Sequence, residues 1–443
     1  MPSAAEQLAS NFNFSNLGKA TELRQRILFT AVVLIVARLG TYIPMPGIDS
    51  ANLARLMNSQ AGGLLDVFNT LAGGAVQRMA IFSLGIMPYI SSSIIMQLMT
   101  TVVPELAERK KEGAAGQKII NQYTRYGTVA LAALQAYGIG IGLEHQAGVV
   151  INPGIFFLLT TVITLTGGTM LLMWLGEQIT ARGVGNGISL IIFVGIVARF
   201  PTYVAQTFEA GRTGALDPLV LIFALIGIVG LIGVIVFMER AQRRLLVQYP
   251  KRQVGQKMFG GESSHLPLKL NVSGVIPPIF ASSILLMPLT IANFNAQNIP
   301  DWLQTAVTYL SHGQPLYLIL YALMIIFFAF FYTSIIFNPE ETAENLKKYG
   351  GFIPGIRPGK KTAEYIDYVL SRITVIGAIY LAVVCLIPEY LIYRYSLPFA
   401  LGGTSILIVV SVTMDTVAQI QSHLIAQQYE GLIKKAKLRG ARR

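Results

Sequence analysis

Long apolar runs alternate with short charged segments along the whole chain. Uncharged stretches such as 156–176 and 315–339 are long enough to cross a bilayer as helices, which takes about 20 apolar residues. Ten such spans are predicted, at 27–44, 79–100, 122–142, 154–174, 186–204, 217–238, 273–294, 316–337, 373–392 and 398–418. The pattern therefore predicts an all-α membrane protein.

The charges orient these spans. Only 13% of the 443 residues are charged, against about 25% in soluble proteins. An even number of spans puts both termini on one side. With the N-terminus in the cytoplasm, 28 of the 34 lysines and arginines fall in inside segments, as the positive-inside rule requires. The other six are Arg38, Arg55, Arg78, Arg199, Arg212 and Arg394.

Two halves are expected, 1–214 with the first five spans and 215–443 with the last five. The second half carries two long cytoplasmic loops, 239–270 and 338–372, and a basic tail. Five spans per half is an odd number, so the second half runs inverted relative to the first.

A short motif occurs twice, once in each half. The matched residues are Gly85, Pro88, Ile90, Ser93 and Ile95 in one copy, and Gly274, Pro277, Ile279, Ser282 and Ile284 in the other. A second pair of segments begins at Gly187 and Gly403, with Ile192 and Ile408 at equal offsets. The repeat indicates two copies of one ancestral unit. The alternative is chance similarity between apolar segments.

Five isoleucines are candidates for a constriction. Four of them, Ile90, Ile192, Ile279 and Ile408, lie about 7–12 positions into their predicted spans, which we expect to be near the bilayer midplane. Ile86 precedes Ile90 by one turn. Facing one another, they would form a ring that blocks ions by dewetting and parts around a larger solute. The alternative is ordinary packing or lipid contact.

An apolar segment between two glycine pairs, 62–63 and 73–74, is too short to cross the membrane. We expect a half-helix that dips back into a cavity between glycine hinges and acts as a stopper, called the plug below. Its candidate residues are Leu64, Leu65, Asp66, Val67, Phe68, Asn69, Thr70 and Leu71. The alternative is an amphipathic helix on the outer surface.

Polar side chains on the second and seventh spans could form a seam that opens sideways. Hydrogen bonds between membrane helices are weak, about 0.6 kcal/mol each, so such a seam would part at modest cost. The candidate residues are Ser91, Ser92, Gln97, Asn271, Ser282, Ser283 and Met287. A permanent helix interface uses the same residue types and is the alternative.

The two long cytoplasmic loops present basic side chains. Pro354 and Pro358, with neighbouring glycines, predict a structured turn that exposes Arg357. The candidate docking residues are Arg357, Arg243, Arg244, Lys251, Arg252 and Lys257. They suit an acidic partner or a phosphate backbone. The alternative is that topology alone places positive charge here.

No catalytic or cofactor site is predicted. A phosphate-binding loop is excluded because Pro354 stands where its first glycine is needed and Lys361 separates Lys360 from Thr362, and the four histidines are too far apart to share a metal. Cys385 is the single cysteine, so no intrachain disulfide forms. The N-terminus lacks a cleavable signal. Intramembrane carboxylates are scarce, which disfavours a secondary transporter with inverted repeats. A membrane-anchored interaction scaffold is the other alternative.

The chain resembles the SecY/Sec61-alpha family of protein-conducting channels over nearly its whole length. The stretches that carry this resemblance are Gly85–Ser91, Gln122–Gly127, Trp174–Ile179, Gly185–Ser189, His265–Lys269, Phe337–Thr342 and Gly355–Gly359. The resemblance implies ten helices in two inverted halves around a pore. It also implies a pore ring at the five isoleucines, a plug at about Leu64–Arg78 and a lateral gate between the second and seventh helices.

The resemblance implies partners as well. These are SecE and SecG in a heterotrimer, the SecA motor at Arg357, both the ribosome and SecA at loop 239–270, and an unfolded or nascent polypeptide with a signal sequence. The expected location is the inner membrane of a bacterial cell, in a lipid bilayer with both termini cytoplasmic. One departure weakens the expected contact with ribosomal RNA, because Gln256-Lys257 stands where similar proteins often carry two arginines.

Overall fold

A computed structural model of the chain describes residues 21–49, 52–53, 69, 72–144, 148–214, 217–249, 252–254, 257–259, 263–294, 309, 314–395 and 402–440. The helices are α1 Thr21–Gly40, α2 Met87–Val102, α3 Pro104–Lys111, α4 Ala114–Glu144, α5 Ile155–Arg182, α6 Gly187–Arg212, α7 Pro218–Arg240, α8 Ile276–Phe294, α9 Pro315–Ile336, α10 Pro339–Lys348, α11 Lys360–Tyr395 and α12 Gly403–Gly440. The strands are β1 Gln242–Gln248, β2 Arg252–Val254, β3 Lys257–Phe259 and β4 Ser263–Lys269.

Each of the ten predicted spans overlaps one of these helices. Seven helices in the described part of the chain are long and apolar enough to cross a membrane, and α2 with α3 would make an eighth across a 98° bend. The apolar part of α8 with described side chains covers only Ile276–Leu285. Helix α1 carries four charged residues within its 20. The all-α membrane fold is confirmed, and ten spans are consistent with it.

The chain divides into two compact units that differ from the predicted halves. One unit comprises 1–205 with 408–443, and the other comprises 206–407. The end of the chain belongs with its beginning because α12 packs there. Leu424 contacts Leu23 and Val184, and the amide of Gly185 donates to Gln419 Oε1 at 2.9 Å. The division at 214/215 into inverted halves stays a prediction.

The second helix begins later than the sequence predicts. Residues 79–86 form turns, and α2 begins at Met87. The reason is local: Met79 and Gly85 both have a positive φ, and Pro88 suits only the first turn of a helix. The other copy of the motif behaves alike, since Gly274 has φ +63° and α8 begins two residues later. Both copies therefore encode a helix start.

In the first unit, α4 packs against α2 and α5, and α1 packs against α5. The loop after α1 completes this core. Pro44 bridges to Ala80, and Ile48 bridges to Val150. Leu53, Leu84 and Ala132 are among the fully buried residues beneath these bridges. The segment that leads into α2 is thereby fixed against the ends of α4 and α5.

Gly168 on α5 marks the tightest contact of this core, and its replacement by alanine should destabilise the unit. A β-carbon there would overlap the carbonyl oxygen of Ile81 far inside van der Waals distance, whereas the neighbouring Gly167 has nothing within 4 Å. We expect Gly168→Ala to cost about 1–3 kcal/mol and Gly167→Ala to be neutral or stabilising. Thermal unfolding in detergent at one heating rate compares them, and equal midpoints would contradict this packing.

In the second unit, α9 packs against α8 and α11, and a β-hairpin extends from α7. Strands β1 and β4 pair antiparallel from Gln242↔Lys269 to Gln248↔Ser263. Leu245 and Val247 on β1 are buried while their neighbours are exposed, as a half-buried strand requires. This segment was expected to be a loop, and its sequence does not alternate, because Leu245, Leu246 and Val247 are consecutive apolar residues.

The two predicted cytoplasmic loops form one packed base within the second unit. Gln248 exchanges two backbone hydrogen bonds of 2.9 Å with Phe352. Leu245 and Leu268 from the hairpin share a core with Ile353, Ile366 and Ile373. Helix α10 is capped by Asn338, whose Oδ1 accepts from the amide of Glu340 at 3.1 Å. Both loops are therefore ordered by burial of apolar side chains.

Candidate functional site

A cavity in the first unit contains two of the predicted ring isoleucines. Its volume is about 40 Å³. The lining residues come from α1, from the segment before α2, from α5 and from α6. They are Leu34, Ala37, Arg38, Thr41, Ala72, Phe82, Gly85, Ile86, Leu172, Ile191, Ile192, Val194 and Gly195. The cavity is apolar apart from Arg38 and Thr41.

The structure brings Ile86 and Ile192 together on this cavity and keeps both away from solvent and lipid. Their exposed fractions are 5% and 8%. Ile408, on the part of α12 that belongs to the same unit, is 1% exposed. Ile90 is half-buried, and its amide donates to the carbonyl of Ile86 at 3.1 Å. None of these four side chains faces outward.

The repeat separates inward from outward isoleucines. Five residues after its glycine, each copy has an interior isoleucine: Ile90 is half-buried, and Ile279, in the second unit, is 9% exposed. Ten residues after the glycine, each copy has an outward one, since Ile95 is 48% exposed and Ile284 is 45% exposed. The two copies therefore place corresponding side chains in corresponding environments, which chance similarity does not explain.

The isoleucines lie closer to the helix ends than expected. Ile90 and Ile279 are the fourth residues of α2 and α8, and Ile192 and Ile408 are the sixth of α6 and α12. The expected depth was wrong mainly for Ile90 and Ile408, because their predicted spans begin at 79 and 398 whereas the helices begin at Met87 and Gly403. The midplane position of the isoleucines stays a prediction.

Most of the predicted plug lies outside the described residues, namely Leu64, Leu65, Asp66, Val67, Phe68, Thr70 and Leu71. Asn69 is described and buried. Its carbonyl accepts from the amide of Gly74 at 2.7 Å, and its Oδ1 accepts from the amide of Gln77 at 3.0 Å. The C-terminal end of the predicted plug is thus a hydrogen-bonded turn that leads directly to the cavity.

The contacts of Arg38 were not predicted from the sequence, in which this residue was only one of six outside charges. Arg38 lines the cavity, and its Nη1 donates to the carbonyl of Gly73. Its guanidinium also lies 5.1 Å from the centre of the Tyr42 ring, and that of Arg78 lies 4.1 Å from the same ring. The only available signal was an arginine at the end of an apolar helix.

Four of the predicted seam residues form hydrogen bonds to partners within their own units. Ser92 Oγ donates to the carbonyl of Thr124 on α4 at 2.7 Å. Asn271 Nδ2 donates to Glu239 Oε1 at 2.6 Å. Ser282 and Ser283 bond back to the carbonyl of Ile279 in their own helix. Ser91 and Gln97 are half-buried, and the side chain of Met287 lies outside the described residues. A gate between α2 and α8 stays a proposal.

Two of the stretches that carry the family resemblance meet through an ion pair. Arg125 on α4 donates through Nη2 to Glu177 Oε2 at 2.7 Å and through Nε to Oε1 at 3.1 Å. The fork geometry holds α4 against α5 at one fixed register. These two stretches, Gln122–Gly127 and Trp174–Ile179, therefore carry a structural contact between neighbouring helices.

The basic docking residues lie on the packed base of the second unit. Arg243 and Arg244 are exposed on β1, and Arg357 is exposed on the turn before α11. Thr362 Oγ1 donates to the carbonyl of Arg357 at 3.0 Å, which fixes this turn. The structure describes the backbone of Arg252 in β2 and of Lys257 in β3 but not their side chains, and Lys251 lies outside the described residues. Among described residues, no cluster of His, Cys, Asp and Glu could hold a metal ion.

The chain is similar in sequence and in structure to known proteins. The SecY family model matches residues 80–417. The protein translocase subunit SecY of Rickettsia bellii is 56% identical over 433 residues, covering 97% of this chain and 100% of that protein. A solved protein-conducting channel covers 90% of this chain and 92% of its own at a TM-score of 0.65 and 17% identity. Sec61 from a canine ribosome–channel complex of the endoplasmic reticulum covers the same shares at a TM-score of 0.62 and 17% identity.

Proposed function

This chain belongs to the SecY family, and we propose that unfolded polypeptide crosses the membrane through it by way of the cavity between α1, α5 and α6. The chain is the pore-forming subunit of a protein-conducting channel in a membrane that it crosses several times.

One observation carries the proposed route. Ile86 and Ile192, which are far apart in sequence, line one small apolar cavity, and Ile86 lies where the segment from the predicted plug enters α2. A narrow constriction of mainly aliphatic side chains resists ions by dewetting, while its flexible side chains can separate. With Ile90, Ile279 and Ile408, these residues would form the sealing ring.

The rest of the route follows from the same physics. The plug residues 64–71 would move out of the way as the polypeptide arrives. A sufficiently apolar segment would leave between α2 and α8 and be solvated by lipid, at about −0.3 to −0.6 kcal/mol per central leucine or isoleucine. Sorting is then a partition equilibrium, and the chain itself performs no covalent step.

The partners follow from the family and the base of the second unit. The ribosome occurs with a related channel, and we propose that it docks on the β1–β4 hairpin through Arg243, Arg244, Arg252 and Lys257. The resemblance adds SecE, SecG and SecA, with SecA at Arg357. We further propose an inner-membrane location with both termini in the cytoplasm, since that orientation places most basic residues inside.

A secondary transporter is disfavoured. Such proteins bind substrate at polar midplane sites, whereas the described cavity is lined mainly by aliphatic side chains and glycines. The family is one of protein translocase subunits. An anchored scaffold is disfavoured for a further reason, since it would not need two copies of an interior isoleucine motif.

A photocrosslinking experiment tests the proposed route. A photoreactive residue at Ile192, in the assembled channel, should crosslink to a precursor that is stalled during export. The same residue at Ile163, an outward position on α5 that is 70% exposed, should crosslink only weakly. The yield is measured on gels with a labelled precursor. Equal yields from both positions would remove the cavity from the route.

A further inference from the structure

Among the residues that the structure describes, only one charged side chain is buried, and it lies inside a predicted span. Glu389 on α11 is 8% exposed, in the span predicted at 373–392. A carboxylate within a membrane helix is costly, so such a residue has a specific partner. We propose that Glu389 is a positioning residue, whose partner is the start of α12 and whose role is to fix Ile408 on that helix. The inference rests on the proposed function, in which Ile408 belongs to the sealing ring.

The carboxylate of Glu389 lies beside the residue that caps α12. The carbonyl of Gly402 accepts from the amides of Ser405 at 3.0 Å and Ile406 at 3.3 Å, so Gly402 is the N-cap of this helix. A β-carbon on Gly402 would lie 2.9 Å from Glu389 Oε2. All of these residues belong to the second unit. Glu389 therefore places a carboxylate at the first turn of α12.

A carboxylate in this place interacts favourably with the helix. The first amides of an α-helix have no acceptor within it, and the aligned peptide dipoles give that end a partial positive charge. An anion beside this end stabilises the helix start, and it does so more strongly when it is partly withdrawn from water. Glu389 meets both conditions, because it is buried and lies beside the N-cap. Charge as well as packing therefore ties the first turn of α12 to α11.

The residue before Glu389 supplies a second acceptor. Pro388 lies inside α11 and has no amide hydrogen, so it cannot form the helix hydrogen bond to the carbonyl of Val384. That carbonyl lies against the start of α12, since a β-carbon on Gly403 would overlap its oxygen and lie 2.7 Å from the Cα of Cys385. The Pro388-Glu389 pair therefore leaves two oxygen acceptors at one helix end, and only a glycine at 403 allows this close approach.

A hydroxyl pair fixes the rotation of the same turn. The hydroxyl oxygens of Tyr321 on α9 and Thr404 on α12 lie 2.8 Å apart, and Tyr321 is buried and stacks on Tyr317 with ring centres 5.8 Å apart. A bond between neutral groups is weaker than one to a charged group, so Tyr321 is the secondary attachment. Ile408 follows Thr404 by four residues and lies on the same face of α12. Fixing Thr404 therefore fixes the direction in which Ile408 points.

Hydrogen exchange of peptides that cover residues 402–410, in the reconstituted full complex, measures how firmly the start of α12 is held. We expect Glu389→Ala to raise the exchange rate about tenfold, because losing an interaction with a charged group shifts an equilibrium roughly ten- to a hundredfold. Glu389→Gln keeps the shape and removes the charge, so its rate should be intermediate. Tyr321→Phe should have a smaller effect. Unchanged exchange in Glu389→Ala would overturn the proposal.

Moving the carboxylate across the contact separates its position from a general effect on stability. A side chain on Gly402 would begin 2.9 Å from Glu389 Oε2, so Gly402→Asp in the Glu389→Ala background returns a carboxylate to nearly the same place. This double variant should restore most of the slow exchange, whereas Gly402→Asp alone brings two carboxylates together and should speed exchange. Gly402→Asn in the Glu389→Ala background is the uncharged control and should restore less. Equal restoration by the two double variants, or none by either, would overturn the role of the charge.

Planar-bilayer conductance connects the contact to the pore. Glu389→Ala should raise the resting conductance about threefold or more, since a loosened first turn releases Ile408, and Gly402→Asp in that background should reverse the rise. Ile408→Asn in the same membranes tests the ring itself. A leak in Ile408→Asn without one in Glu389→Ala would overturn the positioning role and leave the proposed function standing. No leak in Ile408→Asn would remove Ile408 from the proposed ring, and the role of Glu389 with it.

Discussion

Replacing Arg357 with glutamate is expected to block motor-driven export almost completely while leaving the fold intact. The guanidinium is exposed on a turn whose backbone is fixed by Thr362 Oγ1 and by the buried side chain of Ile353. A charge presented so rigidly loses little conformational entropy on binding. Reversing it opposite an acidic partner costs about 2–5 kcal/mol, so the export rate should fall by about two orders of magnitude or more.

The measurement is ATP-dependent transport of a precursor into proteoliposomes. Lys360→Glu makes the same change of charge at an exposed position three residues away and should reduce export much less. Arg357→Lys keeps the charge but loses the planar fork, so an intermediate rate is expected. Resistance of the purified variants to protease checks the fold. Normal export by Arg357→Glu would mean that the motor engages another part of the base.

Polar replacement of the interior isoleucines is expected to make the resting channel leak ions. Ile90→Asn and Ile279→Asn place an amide where a dry constriction is proposed, and a wetted constriction conducts. Lowering the barrier by about 1.4 kcal/mol already gives a tenfold rise in conductance. We expect at least that from each change, and more from Ile192→Asn, because Ile192 is on the described cavity.

The repeat supplies the controls for this experiment. Ile95→Asn and Ile284→Asn make the same chemical change five residues further along α2 and α8, where the side chains face outward. They should affect membrane insertion or stability but leave the conductance of the folded channel unchanged. Planar-bilayer recordings of the purified complexes distinguish the two pairs. Equal conductance across all four variants would remove the proposed ring.

Much of the helical framework could be read from the sequence, because membrane helices are specified by local composition. Bilayer thickness sets their length, and backbone hydrogen bonds must be satisfied within each segment. Each predicted span holds a helix, and the repeated glycines and prolines proved to be helix starts. The error at 79–86 arose because apolar composition does not distinguish a helix from buried turns.

The site was only partly predictable. The isoleucines of the first unit were found through the repeat, and burial agrees with an interior position for them. The plug residues other than Asn69 and several seam and loop residues lie outside the description, so their roles stay predictions. The β1–β4 hairpin was not predicted because β1 has two adjacent arginines followed by three adjacent apolar residues, so its burial alternates although its sequence does not.

By itself, the sequence determined which segments are helical, where charge lies along the chain, and which isoleucines correspond between the two copies. These are properties of neighbouring residues, set by helix geometry and by the cost of placing charge in lipid. Only the tertiary structure decided that Ile86 and Ile192 share a cavity and that Arg38 holds Gly73. Such contacts depend on close packing between residues 35 or more positions apart, and no local pattern encodes that distance.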